Sequence, residues 1–285
     1  MLDLTQPTAL VLGFLLRYKK LNNSAQWNYS RTPTHHEVTT WCLNLMSLIL
    51  LTKNNMHILF NGDSNMGGEE LDDKKLGMAG VITDYYGATA TNLAVSGASN
   101  DLIYNSTWEY LQNNPAPDLV VIGWSEHGRE QWYFEKEFHE INQLDVGQQI
   151  PNEFRRRYQF WKNHIQKDPN WHRVMSYYWH NKIYNLHMWM YERKIPHLFF
   201  NAFHHFQIES EKEWLDWHCC FFCPYNERQC YVPFCIENNF EELTPGWQHF
   251  EPAGHKAWAN ILINEINTSP AHAIIFEREQ SLRRG

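Results

Sequence analysis

Two short stretches carry side chains able to do bond chemistry together. The first is Ile58-Leu59-Phe60-Asn61-Gly62-Asp63-Ser64-Asn65-Met66-Gly67-Gly68, an apolar run ending in Gly-Asp-Ser, with two glycines soon after. Strand, tight turn and helix in that order lift a serine hydroxyl out of a sheet and into a cleft. Gly62 relieves the turn, and Gly67 and Gly68 let backbone or ligand come close. A Gly-Asp-Ser is also an ordinary turn, with Asp63 and Ser64 as turn and cap residues, so partners elsewhere must decide. The second stretch is His249-Phe250-Glu251-Pro252-Ala253-Gly254-His255. It puts His249 in a loop just before a helix, from which a side chain reaches into a cleft. A serine hydroxyl is a weak nucleophile until an imidazole takes its proton.

The elements that must position these residues follow in chain order. His57–Asn61 reads as a strand, and residues 69–86 as a helix stopped by Gly87. Asn92–Ser96 reads as a second strand closed by Gly97; Ser99-Asn100-Asp101 then caps a helix over 102–112. After the breaker Pro115-Ala116-Pro117, Asp118–Ile122 is a third strand, and its unbroken apolar run predicts burial on both faces. Residues 124–151 look inserted. Phe154, Tyr158, Trp161 and Ile165, and then Met175, Trp179, Ile183, Leu186 and Met190, recur at helical spacing and read as core stripes. Ile195–Asn201 is a fourth strand, 203–247 is irregular, and Pro252 opens a last helix with Trp258, Leu262 and Ile266 on one face.

Alternating strands and helices predict an α/β domain with a parallel sheet. In such sheets, sites form beyond the carboxyl ends of the strands. Those ends carry Ser64, then Gly97 with Ser99 and Asn100, then Gly123-Trp124-Ser125-Glu126. Residues 1–55 lack this alternation and read as an N-terminal extension, either an appendage before a start at Met56 or a real arm. Residues 269–285 read as a tail.

Composition narrows the partners. The 285-residue chain has a formal net charge of -8 and no long basic run, which argues against a nucleic-acid partner. No apolar run approaches the roughly 20 residues of a membrane span, and no signal-peptide pattern opens the chain, so a cytoplasmic location is expected. The aromatic fraction of 15% fits a large aromatic core or a cleft suited to sugars. Of six cysteines, Cys219, Cys220, Cys223, Cys230 and Cys235 lie close together and Cys42 apart. Free thiols are the default. With His218 the cluster could hold zinc, but its irregular spacing favours a Cys-rich structural loop over 216–236, so no metal and no cofactor are expected.

Taken in order, Gly62-Asp63-Ser64, Gly97, Gly123-x-Ser125-Glu126 and His249-x4-Gly254-His255 resemble the motif blocks of the SGNH (GDSL-type) hydrolases over residues 56–266. Ser99-Asn100-Asp101 and Ile122-Gly123-Trp124 also resemble a marine bacteriophage group of that superfamily. The resemblance implies a three-layer α/β/α flavodoxin-like fold. It implies Ser64 as nucleophile and His249 as base. The backbone N–H groups of Ser64 and Gly97, with a side chain at Ser125 or Asn100, would form the oxyanion hole.

Two positions depart from the family. Ser125 stands where the third block has asparagine, and its hydroxyl is shorter. Gly246 stands where the acid three residues before the histidine belongs. Glu251, Glu241, Glu242 or a backbone carbonyl are left to orient His249, whose tautomer and direction a third group normally fixes. His255, His35, His36, His204 and His205 read as packing or supporting residues. Arg129 and Glu130 read as a surface pair, although Arg129 is near enough to the third strand end to meet an anionic substrate.

The function expected is hydrolysis of a small ester, with O-acetyl groups on carbohydrate as one substrate class. The alternatives are a non-catalytic or virion-associated binding module on the same fold, and a zinc-stabilised interaction protein.

Overall fold

The apolar pentapeptide His57–Asn61 forms β1, and the rest of the sheet is laid on either side of it. The computed structural model describes residues 56–141 and 150–269. The expectations for 1–55 and, apart from Ser269, for 269–285 lie outside those residues. Besides β1, the strands are β2 (Thr89–Asn92), β3 (Leu119–Trp124), β4 (Glu130–Phe134), β5 (Glu137–Ile141) and β6 (His197–Asn201). The helices are α1 (Ser64–Gly67), α2 (Met78–Tyr86), α3 (Asn100–Asn113), α4 (Asn152–Phe160), α5 (Pro169–Glu192), α6 (Tyr231–Glu237) and α7 (Pro252–Thr268).

Strands β2, β1, β3 and β6 form one sheet in that order, every pairing parallel. All six residues of β3 are buried, as its unbroken apolar run requires. Alternate residues feed two cores. Ile58, Phe60, Val121 and Phe200 pack under α2 and α7; Leu59, Val120, Ile122 and Phe199 pack under α3 and α5. The α/β domain with a parallel sheet expected from the alternation is therefore present, with helices on both faces of the sheet as the resemblance implies. The order of strands reverses between β1 and β3, so a crevice opens at their carboxyl ends.

Several expectations shift for local reasons. The predicted helix over 69–86 is divided. A single turn, α1, begins at Ser64 itself and stops at Gly68, which is left-handed at φ 65°. A 3-10 turn (Lys74–Leu76) follows, and α2 starts only at Met78. The second strand lies earlier than the apolar residues Leu93–Val95 predicted, because Thr89–Asn92 is the polar edge segment that pairs with β1. The stretch read as inserted opens as an antiparallel hairpin, β4–β5, whose Trp132, Phe134 and Ile141 pack with Tyr158 and Trp161 in a satellite core. Glu130 is part of that unit rather than a surface partner of Arg129. Its carboxylate accepts from the indole N–H groups of Trp132 and Trp161, each at 2.7 Å. A short helix, α6, interrupts the irregular stretch, and the five described cysteines are free thiols. None of the described helices is long and apolar enough to cross a membrane.

Burial leaves a pH signature. It pushes the imidazoles of His127 down to about 3 and of His180 and His255 down to about 4, so all three are neutral in the fold. The unfolded chain returns them to about 6.5 and takes up protons there. Their contribution to stability is thus complete above pH 6.5 and is lost as pH falls toward 4. The two most deeply buried, His127 and His255, should each cost up to about 1.4 kcal/mol per pH unit in the lower part of that window, and His180 less, since solvent screens it. Urea midpoints measured from pH 7 to pH 5 should fall steadily; a flat profile would contradict neutral burial.

Candidate active site

Asn61, the last residue of β1, anchors the turn that carries Ser64. Its buried amide donates to the Ile103 carbonyl and to the hydroxyls of Ser106 and Thr107, tying β1 to α3, while its oxygen accepts from Gly62 N–H. Gly62 can only be glycine, because a Cβ there would sit 2.7 Å from Cβ of Met66 and 2.9 Å from the Gly123 carbonyl. This close approach brings the ends of β1 and β3 together.

Asp63 caps α1, accepting from the Asn65 N–H at 3.0 Å through Oδ1. Its second oxygen, Oδ2, is the centre of a buried network. The Ser125 hydroxyl donates to it at 3.0 Å, and Nη1 of Arg129 lies 3.3 Å from it. The same Nη1 donates to the Ser125 hydroxyl at 2.8 Å. Arg129 is therefore not a surface residue; it is paired beneath the site with Asp63.

This network changes how the β3 end is read. The hydroxyl hydrogen of Ser125 is engaged by Asp63, and the Asn100 amide is a clamp: its oxygen accepts from the Ser125 N–H at 2.7 Å, and its nitrogen donates to the Ser125 carbonyl at 3.2 Å. Neither side chain is among those that line the neighbouring cavity, whereas Arg129 is. Nε of Arg129 is buried without a hydrogen-bond partner among the described residues. The cation at the β3 end is thus Arg129, near the strand end as its place in the sequence suggested, but buried against Asp63 and 3.9 Å from the Glu126 carboxylate rather than on the surface with Glu130.

The cavity, of about 570 Å³, lies beyond the carboxyl ends of the strands and is lined in part by Ser64, Gly97, Arg129, His204, Trp247 and His249. Ser64 opens α1, so its backbone N–H has no partner within the helix. Among the described residues, no hydrogen bond is made by the N–H of Ser64 or of Gly97. Two free donors, a hydroxyl and an imidazole thus share one hollow.

His249 is held by its neighbours in sequence. Phe250 is fully buried under α7, and its backbone bridges Glu242. The His249 carbonyl accepts from Leu243 N–H at 2.7 Å. Among the described residues, none of the three glutamates expected to orient the ring makes a hydrogen bond or ion pair with it. Glu251 is the exposed N-cap of α7, Glu241 is exposed and offers its carbonyl to Glu251 N–H, and the Glu242 carboxylate accepts from Gly246 N–H. The carboxylate beside His249 belongs to Glu70. Oε2 of Glu70 lies 3.2 Å from Nδ1 of His249, within ion-pair distance but off hydrogen-bond alignment. Contacts of this kind commonly tighten when substrate binds. Oε1 of Glu70 accepts from the Thr244 hydroxyl at 2.8 Å, which holds the carboxylate in place.

Glu70 was hidden in the sequence because Gly67-Gly68-Glu69-Glu70 looked like the start of a helix. The glycine at 68 ends α1 instead, and Glu70 takes a left-handed φ of 64°, turning the chain back toward the histidine loop. The readable signal was an acid six residues after the serine, rather than three before the histidine. His255 lies behind the site. It packs against the Tyr231 ring, and burial foremost, then the charge of nearby His249, pushes its pKa down.

No protein-family model matches the chain, and no curated protein matches it. Solved structures aligned with this fold include a two-domain esterase active on acetylated mannans, at 15% identity and TM-score 0.40, covering 80% of this chain and 54% of that one. This chain thus spans about half the length of that esterase. A GDSL-like lipase from Parabacteroides merdae aligns at 11% identity and TM-score 0.37, covering 74% of this chain and 95% of that one. A catalytic mutant of an acetylxylan esterase from Geobacillus stearothermophilus aligns at 12% identity and TM-score 0.37, covering 74% of this chain and 94% of that one.

The geometry separates Glu70 from its rivals. Glu70→Gln should lower the rate of ester hydrolysis at least about tenfold, since it removes the charge that steadies a protonated imidazole. Glu241→Gln, Glu242→Gln and Glu251→Gln should each leave turnover near that of the parent. Gly246→Asp should bring no gain: its φ of 84° strains any side chain, although no atom stands within 4 Å of the added Cβ. A rise in turnover in Gly246→Asp, or a loss confined to Glu251→Gln, would overturn the assignment.

Proposed function

We propose that this protein is a serine esterase of the SGNH (GDSL-type) superfamily, acting on small carboxylic esters by an acyl-enzyme mechanism. The observation that carries the reading is the single cavity at the β1–β3 switch point. It holds a helix-opening serine, unpaired backbone donors and a histidine beside a buried-side carboxylate.

The steps follow from these groups. His249 takes the proton of the Ser64 hydroxyl as Oγ attacks the ester carbonyl, and Glu70 steadies the resulting imidazolium through Nδ1. The carbonyl oxygen becomes an oxyanion facing the N–H groups of Ser64 and Gly97, a donor of this kind being worth about 3–4 kcal/mol. The C–O bond to the leaving alcohol then breaks, and His249 returns the proton to that alcohol. Water, deprotonated by His249, attacks the acyl-Ser64 ester, releasing the carboxylic acid and restoring the hydroxyl. No cofactor enters these steps.

Acyl groups on carbohydrate are the substrate class we favour. Trp247 is 41% exposed at the cavity beside His249 and offers a flat apolar face of the kind sugars stack on. The two-domain esterase active on acetylated mannans is consistent with the choice without deciding it.

An activated acetate ester and an acetylated oligosaccharide test the proposal. The parent should hydrolyse the former, and Ser64→Ala and His249→Ala should each lose about 10²–10⁴-fold or more while keeping the parent's circular dichroism. A folded parent inert toward both substrates would favour a binding module on the same fold.

A further inference from the structure

At the opposite, amino end of β6 lies a second constellation that the ester chemistry does not use. His187 from α5, His197 at the start of β6 and Cys220 from the following irregular stretch are all buried, and one ligand atom from each lies within 4.8 Å of the others. Cys219, Cys223, Cys230 and Cys235, the other members of the cysteine cluster read from sequence, are not part of it.

The hydrogen bonds around the two rings fix which nitrogens face inward. Nδ1 of His197 lies 2.7 Å from the Ile195 carbonyl, which can only accept, so Nδ1 carries the hydrogen and Nε2 of the neutral ring presents a lone pair. That lone pair faces Nδ1 of His187 at 2.8 Å. The far nitrogen of His187, Nε2, lies 3.0 Å from Nδ1 of His218, whose own Nε2 is 3.8 Å from the Asp216 carboxylate. A backbone carbonyl behind one ring and a histidine–carboxylate pair behind the other are the partners that metal-bound imidazoles use to orient their outer N–H groups.

We propose that His187 Nδ1, His197 Nε2 and Cys220 Sγ bind one zinc ion, a water completing the tetrahedron, and that the ion serves the fold rather than the ester reaction. Two imidazoles and a thiolate are a donor set of borderline softness suited to zinc. A tetrahedral ion sets its ligand atoms about 3.3–3.6 Å apart. The two rings stand slightly inside that spacing and the whole set slightly outside it, so small side-chain rotations reach it. On binding, the ion takes the place of the hydrogen shared by the two rings. His187 then donates from Nε2 to His218 Nδ1, and His218 turns its Nε2–H toward Asp216. The thiol proton of Cys220 leaves to solvent, giving a site of net charge +1, from zinc 2+ and one thiolate.

Location explains what the ion would do. Cys220 and Phe222 extend the sheet: Phe199 N–H donates to the Cys220 carbonyl and Phe222 N–H to the Phe199 carbonyl, each at 2.8 Å, and Phe221 bridges Phe199 in parallel. The ion would fasten α5, β6 and this added segment together and so cover the open edge of the sheet. His197 opens β6, whereas the ester site lies beyond the carboxyl ends.

The test uses the purified full chain, equilibrated with zinc and desalted, and separately loaded with cobalt(II). One zinc per chain should remain, and cobalt should give a thiolate-to-metal charge-transfer band. Cys220→Ser should lose both, while Cys223→Ser, altering an exposed thiol, should keep both. A chelator should lower the Tm of the parent. If Cys220→Ser fails to fold, the parent's cobalt band and chelator shift, with retention in Cys223→Ser, still carry the proposal. A parent with no stoichiometric zinc and no thiolate band, or a band abolished by Cys223→Ser, would overturn it.

Discussion

The contact on which the site depends is the buried pairing of Asp63 with Arg129, with the Ser125 hydroxyl between them. Asp63 is 1% exposed and caps the turn that presents Ser64; Arg129 follows β3. One ion pair therefore joins the two strand ends on either side of the switch point. A buried pair of this kind adds little net stability over an apolar one, but losing one partner leaves an uncompensated charge and costs about 3–5 kcal/mol. Its value here is positional. It fixes the Ser64 turn relative to the β3 end and holds a guanidinium at the wall of the cavity.

The histidine is positioned from two other directions. Phe250 is sunk in the core under α7, which sets where His249 leaves the chain, and the Glu70 carboxylate lies 3.2 Å from Nδ1 of its ring. A carboxylate that comes from the serine side rather than the histidine side could serve the proposed reaction equally well, because an imidazole responds to charge and direction and not to chain order. The left-handed residues Gly68 and Glu70 make that return path possible.

The layered fold was legible because burial on both faces of β3 leaves an apolar run, and because Ser99 and Pro252 mark helix starts by well-understood chemistry. The edge strand β2 was misplaced since its residues are polar and its position comes from pairing with β1 alone. Ser64 and His249 were legible as strand-end and loop residues, whereas Gly97, expected to close the second strand, lies in the loop beyond Asn92. Glu70 and the burial of Arg129 were not, since both depend on contacts between segments far apart in sequence. The same holds for His187 and His197: ten positions apart on α5 and β6, they carry no local spacing that distinguishes them from core histidines.

The central claim is that Ser64, His249 and Glu70 act as one unit in the cavity at the β1–β3 switch point. A crystal structure of the protein after reaction with an alkyl phosphonate ester tests it most directly. The account predicts a covalent bond to Ser64 Oγ and a phosphonyl oxygen within hydrogen-bond distance of the N–H groups of Ser64 and Gly97. It also predicts a His249 Nδ1–Glu70 contact drawn into alignment. A phosphonylated side chain elsewhere, or His249 turned to Glu241, Glu242 or Glu251, would contradict it.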